Sequence, residues 1–569
     1  MTAQALINRF IEIVGREHVL TQEKETEYYR SGFRSGKGQA LAVLFPATLV
    51  EQWRLLEAAV EANCIVIMQA AKTGLTEGSA PSGNDYDREV VVINIMRINT
   101  LHLIENGEQI ISLPGVSLHQ VGKKLDSVNR APHSVIGSSS IGATVVGGIA
   151  NNSGGALVKR GPAYTELALF GQVTKEGKLV LVNHLGIDGL GDTPEEILKN
   201  VEQGNFDPSK VIHSDAMASD REYDERVRDV DADTPSRFNA DSRRLFEASG
   251  CAGKLAVFAV RVDTYPVPEK EQLFYIGCNS QEQLTKLRRD MLQRFENLPE
   301  MGEYMHRDIF NLAETYGKDV FLSINHLGTD KLPKFFAFKA KVETILKRVP
   351  FVSKDLPDIM LYWFSKLFPQ HLPKRMLEYR DRFEHHLILK MSNGGIEEAK
   401  QYLAEDWSLQ HDCDYFECTP DEGKKALLHR FAAAGAAIRY ETIHNKEVED
   451  ILALDIALRR NDIDWVEQLP EEITKDMVMA LYYGHFMCHV FHQDYIFKKG
   501  ADTKKIKKKM LELLTQKGAK YPAEHNVGHL YEAEKQLQAF YHSLDPTNTF
   551  NPGIGKMSKY KRNCSCCGS

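Results

Sequence analysis

The sequence predicts an α+β fold in several domains, and three observations carry that expectation. The first is the stretch Ala131 to Glu166, which holds Gly137, Gly142, Gly147, Gly148, Gly154, Gly155 and Gly161 among Ser138 to Ser140, Thr144 and Asn151 to Ser153. So dense a run of glycine lets backbone approach a ligand closely, and its unshielded N–H groups and small hydroxyls suit a pyrophosphate. A small-residue packing seam or a plain loop would use the same residues. The second is the strand-like run Ile65 to Gln69, which leads directly into Ala70-Ala71-Lys72-Thr73-Gly74-Leu75-Thr76-Glu77-Gly78-Ser79, a second anion cradle at a strand end. The third is a β-α-β start. Leu41 to Phe45 precedes Thr48-x-x-Glu51, a capping box opening a helix on which Leu49, Trp53, Leu56 and Val60 share one face. Strand-like Glu89 to Ile95 and Gln109 to Leu113 follow, and no G-x-G-x-x-G follows a strand, so the dinucleotide fingerprint of a Rossmann unit is absent from this stretch.

Composition narrows the class. At 569 residues the chain is too long for one core. A net charge of −8 argues against a general nucleic-acid binder. Met1 to Gly15 reads as a helix and not a signal peptide, because Glu12 interrupts its apolar run and no small-residue cleavage site follows. No stretch is long and apolar enough for a transmembrane helix. Nine scattered cysteines suggest reduced thiols, with Cys564, Cys566 and Cys567 in a disordered tail. Glu196 to Arg244 is acidic and irregular and reads as a solvated excursion. Leu255 to Val262 is a buried strand by composition, and Tyr265-Pro-Val-Pro marks a boundary.

Between Lys331 and Arg375 ten Lys/Arg face three acidic residues, with Phe335, Phe336, Phe338, Phe351, Tyr362, Trp363, Phe364 and Phe368 interleaved. That pattern suits a surface lying on anionic lipid, where each basic side chain contributes up to about 1 kcal/mol. A charged helix pair with buried aromatics competes with this reading, and a single-stranded nucleic-acid groove is a distant third. The Ala-rich helix Lys424 to Tyr440, carrying Lys424, Lys425, Arg430 and Arg439, is expected on the same face.

The chemistry concentrates late in the chain. In Tyr482 to Asp494 (YYGHFMCHVFHQD), His485, His489 and His492 fall at i, i+4 and i+7 of a helix, or His485 and His492 flank a turn. Pro522 to His529 then supplies Glu524 beside His525. Two imidazoles and a carboxylate suffice for a divalent metal such as zinc or manganese, and a neighbouring imidazole suits proton abstraction. Taken singly, each is as well explained as a structural histidine. An anionic substrate would also need a cation, best a guanidinium, and Arg459 and Arg460 are candidates.

Together the two cradles, AAKTGLTEGSAPSGNDYDR and PHSVIGSSSIGATVVGGIANNSGG, resemble the paired pyrophosphate loops of the vanillyl-alcohol oxidase family of flavoproteins. In that family they read G-x-G-T-G-L-T-G-G and G-x-x-x-x-x-G-x-x-x-x-N-x-G-G. The wording is closest to the membrane-associated branch that oxidises D-lactate with a quinone as acceptor, and the resemblance covers nearly all of the chain. It implies a two-subdomain FAD-binding domain over 1–262, with FAD held by loops 69–79 (Ala70, Ala71, Lys72, Thr73, Gly74, Gly78, Ser79) and 137–155 (Gly137, Thr144, Gly154) and by backbone around Val257. A cap domain with an antiparallel sheet would span 263–305 and 385–515. A basic membrane-contact segment is inserted at 306–384, and 516–569 returns to the FAD domain through DPTNTFNPGIGK.

Matched position by position to the family's G-H-x-G-D-G-N-x-H-x-N and S-G-E-H-G-x-G, His485, His492 and Glu524 fall on metal ligands and His525 on the general base. Arg459 falls on the Arg that grips the substrate carboxylate. The first motif departs from the family by losing its inner Gly-Asp-Gly-Asn and ending in Asp494, and the second has Ala523 and Asn526 for Gly. These changes bear on the metal more than on the base. The implied function is a peripheral enzyme on the cytoplasmic face of a bacterial inner membrane, converting D-lactate to pyruvate and reducing a membrane quinone, without nucleic acid. Because no His lies between Cys64 and Asp87, FAD is expected to be non-covalent. A soluble FAD enzyme for another D-2-hydroxy acid, or a non-catalytic flavin-bound tether, would share the cradle but not the full constellation.

Overall fold

The computed structural model describes residues 2–134, 142–327, 356–407 and 412–562. Gly137 and the basic run through 355 therefore lie outside the described residues. The chain opens with the helix Ala3–Val14, as its apolar spacing requires. A four-stranded sheet follows in the order Val19–Leu20, Ala42–Leu44, Val90–Asn94, Ile65–Gln69, the last three strands parallel. Its crossover helix Leu49–Glu61 starts where expected, with Glu51 N–H donating to Thr48 Oγ1 at 3.1 Å. The capping box is not reciprocal, however. The Glu51 carboxylate accepts from Ala47 N–H at 2.6 Å instead of from Thr48.

A five-stranded antiparallel sheet lies beside it in the order Leu101–Ile104, Gln109–Ser112, Ala256–Asp263, Ala168–Val173, Leu179–Asn183. Both sheets share one apolar core, in which Trp53 and Leu56 of the helix and Val66 of the first sheet join Phe170 and Phe258 of the second. The last fifty residues return here. Phe550 pairs with Val66, and the buried Lys254 ammonium donates to Asn548 Oδ1 at 2.9 Å and the Phe550 carbonyl at 2.8 Å.

The remainder builds a seven-stranded antiparallel sheet in the order Cys413–Glu417, Glu271–Cys278, His385–Ser392, Met301–His306, Met477–His485, Val490–Lys498, Val448–Ala457. Alternate side chains face opposite ways. Phe274, Ile276 and Tyr304 enter one core with Trp465. Tyr275, Met305, Ile388 and Tyr483 enter another beneath the helices Arg307–Tyr316 and Pro420–Ile443.

Three expectations are corrected. The acidic stretch 196–244 is a solvated excursion only in part: Tyr223, Val227, Arg237 and Arg244 are buried, and Asp220 is paired with both Arg226 at 3.0 Å and Arg244 at 2.5 Å. Asp224, Glu225, Asp229, Asp231 and Asp233 stay exposed, while the buried charges neutralise each other inside. The Ala-rich helix does not turn all its basic residues outward. Arg430 is buried against Glu303 at 3.0 Å and Arg439 against Asp319 at 2.7 Å. Finally, Cys278 and Cys413 are joined in a disulfide, because antiparallel register sets them directly opposite with Cα atoms 4.2 Å apart.

Candidate functional site

The hairpin Met477–His485 to Val490–Lys498 decides between the two readings of the histidine motif: a tight turn, Phe486–Cys488, leaves His485 and His492 flanking it. Their rings are 5.2 Å apart. His489, at φ +54°, points elsewhere, its Nδ1 2.9 Å from the Arg459 carbonyl.

Each partner of this pair comes from a strand directly opposite. Glu303 faces His485 in register and places Oε1 2.5 Å from His485 Nδ1. Asp455 faces His492, with Oδ1 3.4 Å from Nδ1. The loop 522–529 closes the group. Glu524 N–H donates to Asp455 Oδ2 at 2.7 Å, its Oε2 lies 3.5 Å from His485 Nε2, and its Oε1 accepts from buried Arg237 at 3.0 Å. Side-chain donor atoms of His485, His492 and Glu524 all lie within 4.8 Å of one another. His525 Nε2 stands 3.9 Å from Asp455 Oδ2, half-buried at the rim.

The electrostatics follow. Burial alone would push the His485 imidazolium down, but Glu303 and Glu524 on either side hold it up at about 10. Burial raises Glu524, and His485 with Arg237 more than reverse that, keeping it well below the ordinary carboxylate range. The donor set fits a divalent cation. Glu303 fixes the tautomer of His485 so that Nε2 faces Glu524, the second-shell arrangement that metal-binding histidines use.

The same loop ties the site to both cradles. His529 N–H donates to the Thr76 carbonyl at 2.9 Å, Gly155 N–H donates to Glu524 Oε1 at 3.0 Å, and Asn526 donates to Asn151. Gly528 has no substitute, because at φ +52° its Cβ would lie 1.8 Å from the Thr76 carbonyl oxygen. In the first cradle, Lys72 (φ +61°) is buried, donates to the Tyr28 and Ser31 carbonyls, and is lowered to about 8 by burial. Gln69 donates to Ser79 O at 2.6 Å, and Asn94 to Ala70 O at 3.2 Å. Ala71 lies against the second cradle, 3.7 Å from a Cβ built on Gly142, whereas one built on Gly74 meets nothing within 4 Å. A Cβ on Gly78 would meet Asn526 at 2.8 Å. Thr144 caps the short helix Val145–Ala150, and Val257 sits at a bulge against Phe170. Ser134 Oγ, His133 Nδ1 and Asn152 Oδ1 are buried without a hydrogen-bond partner among the described residues. Open space beside Gly74 and orphaned polar atoms along the second cradle fit FAD.

Two candidates stand apart. Arg459 is not gathered with the others, because its guanidinium is engaged by Asp462 at 2.8 Å and Asp233 at 2.7 Å. Gly154 serves the protein's own packing, since a Cβ there would meet Arg237 at 2.6 Å and Glu524 at 2.7 Å. Sequence reasoning missed Arg237, Glu303 and Asp455. Only strand register reveals Glu303 and Asp455, and Arg237 lay in the stretch read as solvated.

Residues 273–563 match the family described as D-lactate dehydrogenase, membrane binding, and residues 40–183 match the FAD binding domain. A quinone-dependent D-lactate dehydrogenase of Escherichia coli is 58% identical over 98% of this chain and 97% of its own. One from Haemophilus influenzae is 54% identical over 99% of each. Among solved structures, p-cresol methylhydroxylase with substrate bound (TM-score 0.60, 10% identity, 98% and 97% covered) shares the fold. So does 4-ethylphenol oxidase from Gulosibacter chungangensis (0.58, 11%, 98% and 97%). The fold is the α+β, FAD-binding fold of vanillyl-alcohol oxidase-type flavoproteins, and the chain belongs to the membrane-binding D-lactate dehydrogenase family.

Proposed function

We propose that this protein oxidises D-lactate to pyruvate and delivers the electrons to a membrane quinone. The observation that carries the reading is the convergence of His485, His492, Glu524 and His525 around Asp455, on a loop bonded to both cradles. Bound FAD supplies the acceptor for the hydride leaving C2. His525, oriented by Asp455, takes the hydroxyl proton. His485, His492 and Glu524 would hold a divalent metal, which would supply a Lewis acid for the substrate's hydroxyl and carboxylate. In its absence the imidazolium of His485 supplies the positive charge. Arg459 could reach the substrate only by leaving Asp462 or Asp233.

Association with the membrane is peripheral. Among the described residues no helix is long and apolar enough to cross a bilayer. The helix Leu356–Ser365 and the turn after it expose Met360, Trp363, Phe364 and Leu367 at i, i+3, i+4 and i+7, an apolar stripe open to lipid. Lys366 lies over the Tyr362 and Trp363 rings. With the basic residues of 331–375, this suits an anionic surface such as the cytoplasmic leaflet of the inner membrane.

The test is an anaerobic visible spectrum of the purified protein with D- or L-lactate. Bleaching of the flavin band by the D isomer alone is expected; a band that neither isomer bleaches would remove the lactate assignment. FAD should come off in acid, leaving a colourless precipitate.

A further inference from the structure

Three histidines of the cap take no part in the site above. His371, His386 and His429 are 8%, 1% and 0% exposed. Among the described residues neither ring nitrogen of any of them makes a hydrogen bond of ordinary geometry, and His429 reaches only toward the Phe310 carbonyl. This is unlike the other core histidines, for His385 Nδ1 meets Tyr304 Oη at 2.8 Å and His489 Nδ1 meets the Arg459 carbonyl at 2.9 Å. Buried polar groups are rarely left without partners unless something else satisfies them. A metal is not the answer, because among the described residues only His485, His492 and Glu524 bring donor atoms within ligand range.

The surroundings point to a planar apolar ligand. Phe310 lies between two of the rings, 4.3 Å from His429 and 5.3 Å from His386. Phe321, on the helix Lys318–Leu327, covers His371 at 4.5 Å. His371 itself follows the exposed stripe of Leu356–Ser365 in the chain, six residues beyond the end of that helix. Burial pushes His386 and His429 down to about 3 and His371 to about 4, so all three are neutral near pH 7. A neutral imidazole offers one donor and one acceptor, which serves a carbonyl and a hydroxyl alike.

The cluster is also close to the chemistry. Across the cap sheet His386 stands opposite Met305, which stands opposite Tyr483; the row Ile388, Glu303, His485 lies two residues along the same face. The two rows are roughly 7 Å apart at the rise of a strand, and His386 stands two strands, about 10 Å, across the sheet from His485. His429 precedes Arg430, whose guanidinium holds Glu303 at 3.0 Å.

We infer that His371, His386 and His429 form the headgroup site of the quinone, entered from lipid beside the Leu356–Ser365 stripe, with the ring seated against Phe310 in the place Phe321 now fills. This rests on the quinone reading given above. Reduction turns two quinone C=O groups into two C–OH groups. The two electrons come from flavin reduced by lactate, and the two hydrogens lactate loses, from O2 and C2, balance the two O–H bonds formed.

The test uses FAD-loaded protein on anionic vesicles. A photoreactive azido-quinone with a short isoprenoid tail should label the wild-type chain within 305–321, 371–386 or 429–437. Labelling confined to the cradle loops overturns the site. In parallel, His386→Leu and His429→Leu should raise the KM for a short-tail quinone at least tenfold, and His386→Gln, which keeps an N–H donor, should recover part of the loss. Flavin reduction by D-lactate, followed in the same samples, reports whether each variant is folded. A KM within twofold of wild type, or equal losses in both half-reactions, overturns the proposal. If wild-type reduced enzyme is reoxidised by ferricyanide but by no quinone, the acceptor reading itself falls.

Discussion

Two buried histidines, His485 and His386, share one face of the cap sheet, their rows two residues apart along the strand Met301–His306, and they are electrostatic opposites. His485 is hemmed in by Glu303 and Glu524, which are in turn held by Arg430 and Arg237. His386, with His371 and His429, has aromatic rings around it and, among the described residues, no carboxylate or hydrogen bond of ordinary geometry. The same side chain is thus held cationic in one place and neutral in the other. Burial is nearly equal in the two places; the neighbours differ. A carboxylate opposite in register makes a site for charge, and its replacement by Met305 makes a site for a neutral ring.

The sharpest break between the halves is kinetic. His525→Ala should lower the rate of flavin reduction by D-lactate about 10²- to 10⁴-fold, the usual contribution of a general base, with FAD still bound. Stopped-flow absorbance measures it, and a rate within threefold of wild type would remove His525 from the mechanism.

Stability separates the groups next. Glu303→Ala leaves His485 and Arg430 as buried charges, and breaking such an arrangement costs about 3–5 kcal/mol. His386→Leu removes a group that has no partner to lose, so it should be near neutral. Urea unfolding of the two variants compares them directly. Similar losses in both would mean that His386 has partners in solution.

Their pH dependence should have opposite slopes. In chelator-treated protein His485 is raised to about 10, so its contribution is complete below the unfolded value near 6.5 and is lost as pH rises toward 10. His386 is depressed to about 3, so stability is complete above 6.5 and is lost as pH falls toward 3. Adding zinc or manganese should abolish the alkaline loss, because a coordinated imidazole is neutral. If neither ion alters the alkaline limb, the cluster works as an ion-pair network without metal.

How much of this was legible in the sequence follows from range. Ile65–Gln69 and Leu49–Glu61 are set by local pattern, and the glycines announced the cradles, whereas the histidine motif allowed a helix as well as a turn and only the hairpin decides. Glu303 and Asp455 could not be read, since each joins the site only through register with a strand far away in sequence. Arg237 was hidden by composition: alternating charges look solvated, and only the fold shows that Asp220, Arg226, Arg237 and Arg244 pair internally or with Glu524. The unpartnered histidines carry no motif at all.

Arg459 offers the smallest kinetic effect and the most discriminating one. Its guanidinium, just past the end of Val448–Ala457, matches a family position, yet its bonds run to Asp462 and Asp233, with Asp233 largely exposed. The pair with exposed Asp233 is worth about 0–1 kcal/mol, but Asp462 is buried and loses its guanidinium partner, so Arg459→Ala should destabilise by about 1–3 kcal/mol. If the substrate carboxylate is held at His485, His492 and Glu524, the KM for D-lactate should change less than threefold. A rise of tenfold or more in protein that stays folded would show that Arg459 swings from the aspartates to the substrate when lactate binds. It would also make the closed arrangement around His525 one that the substrate itself completes.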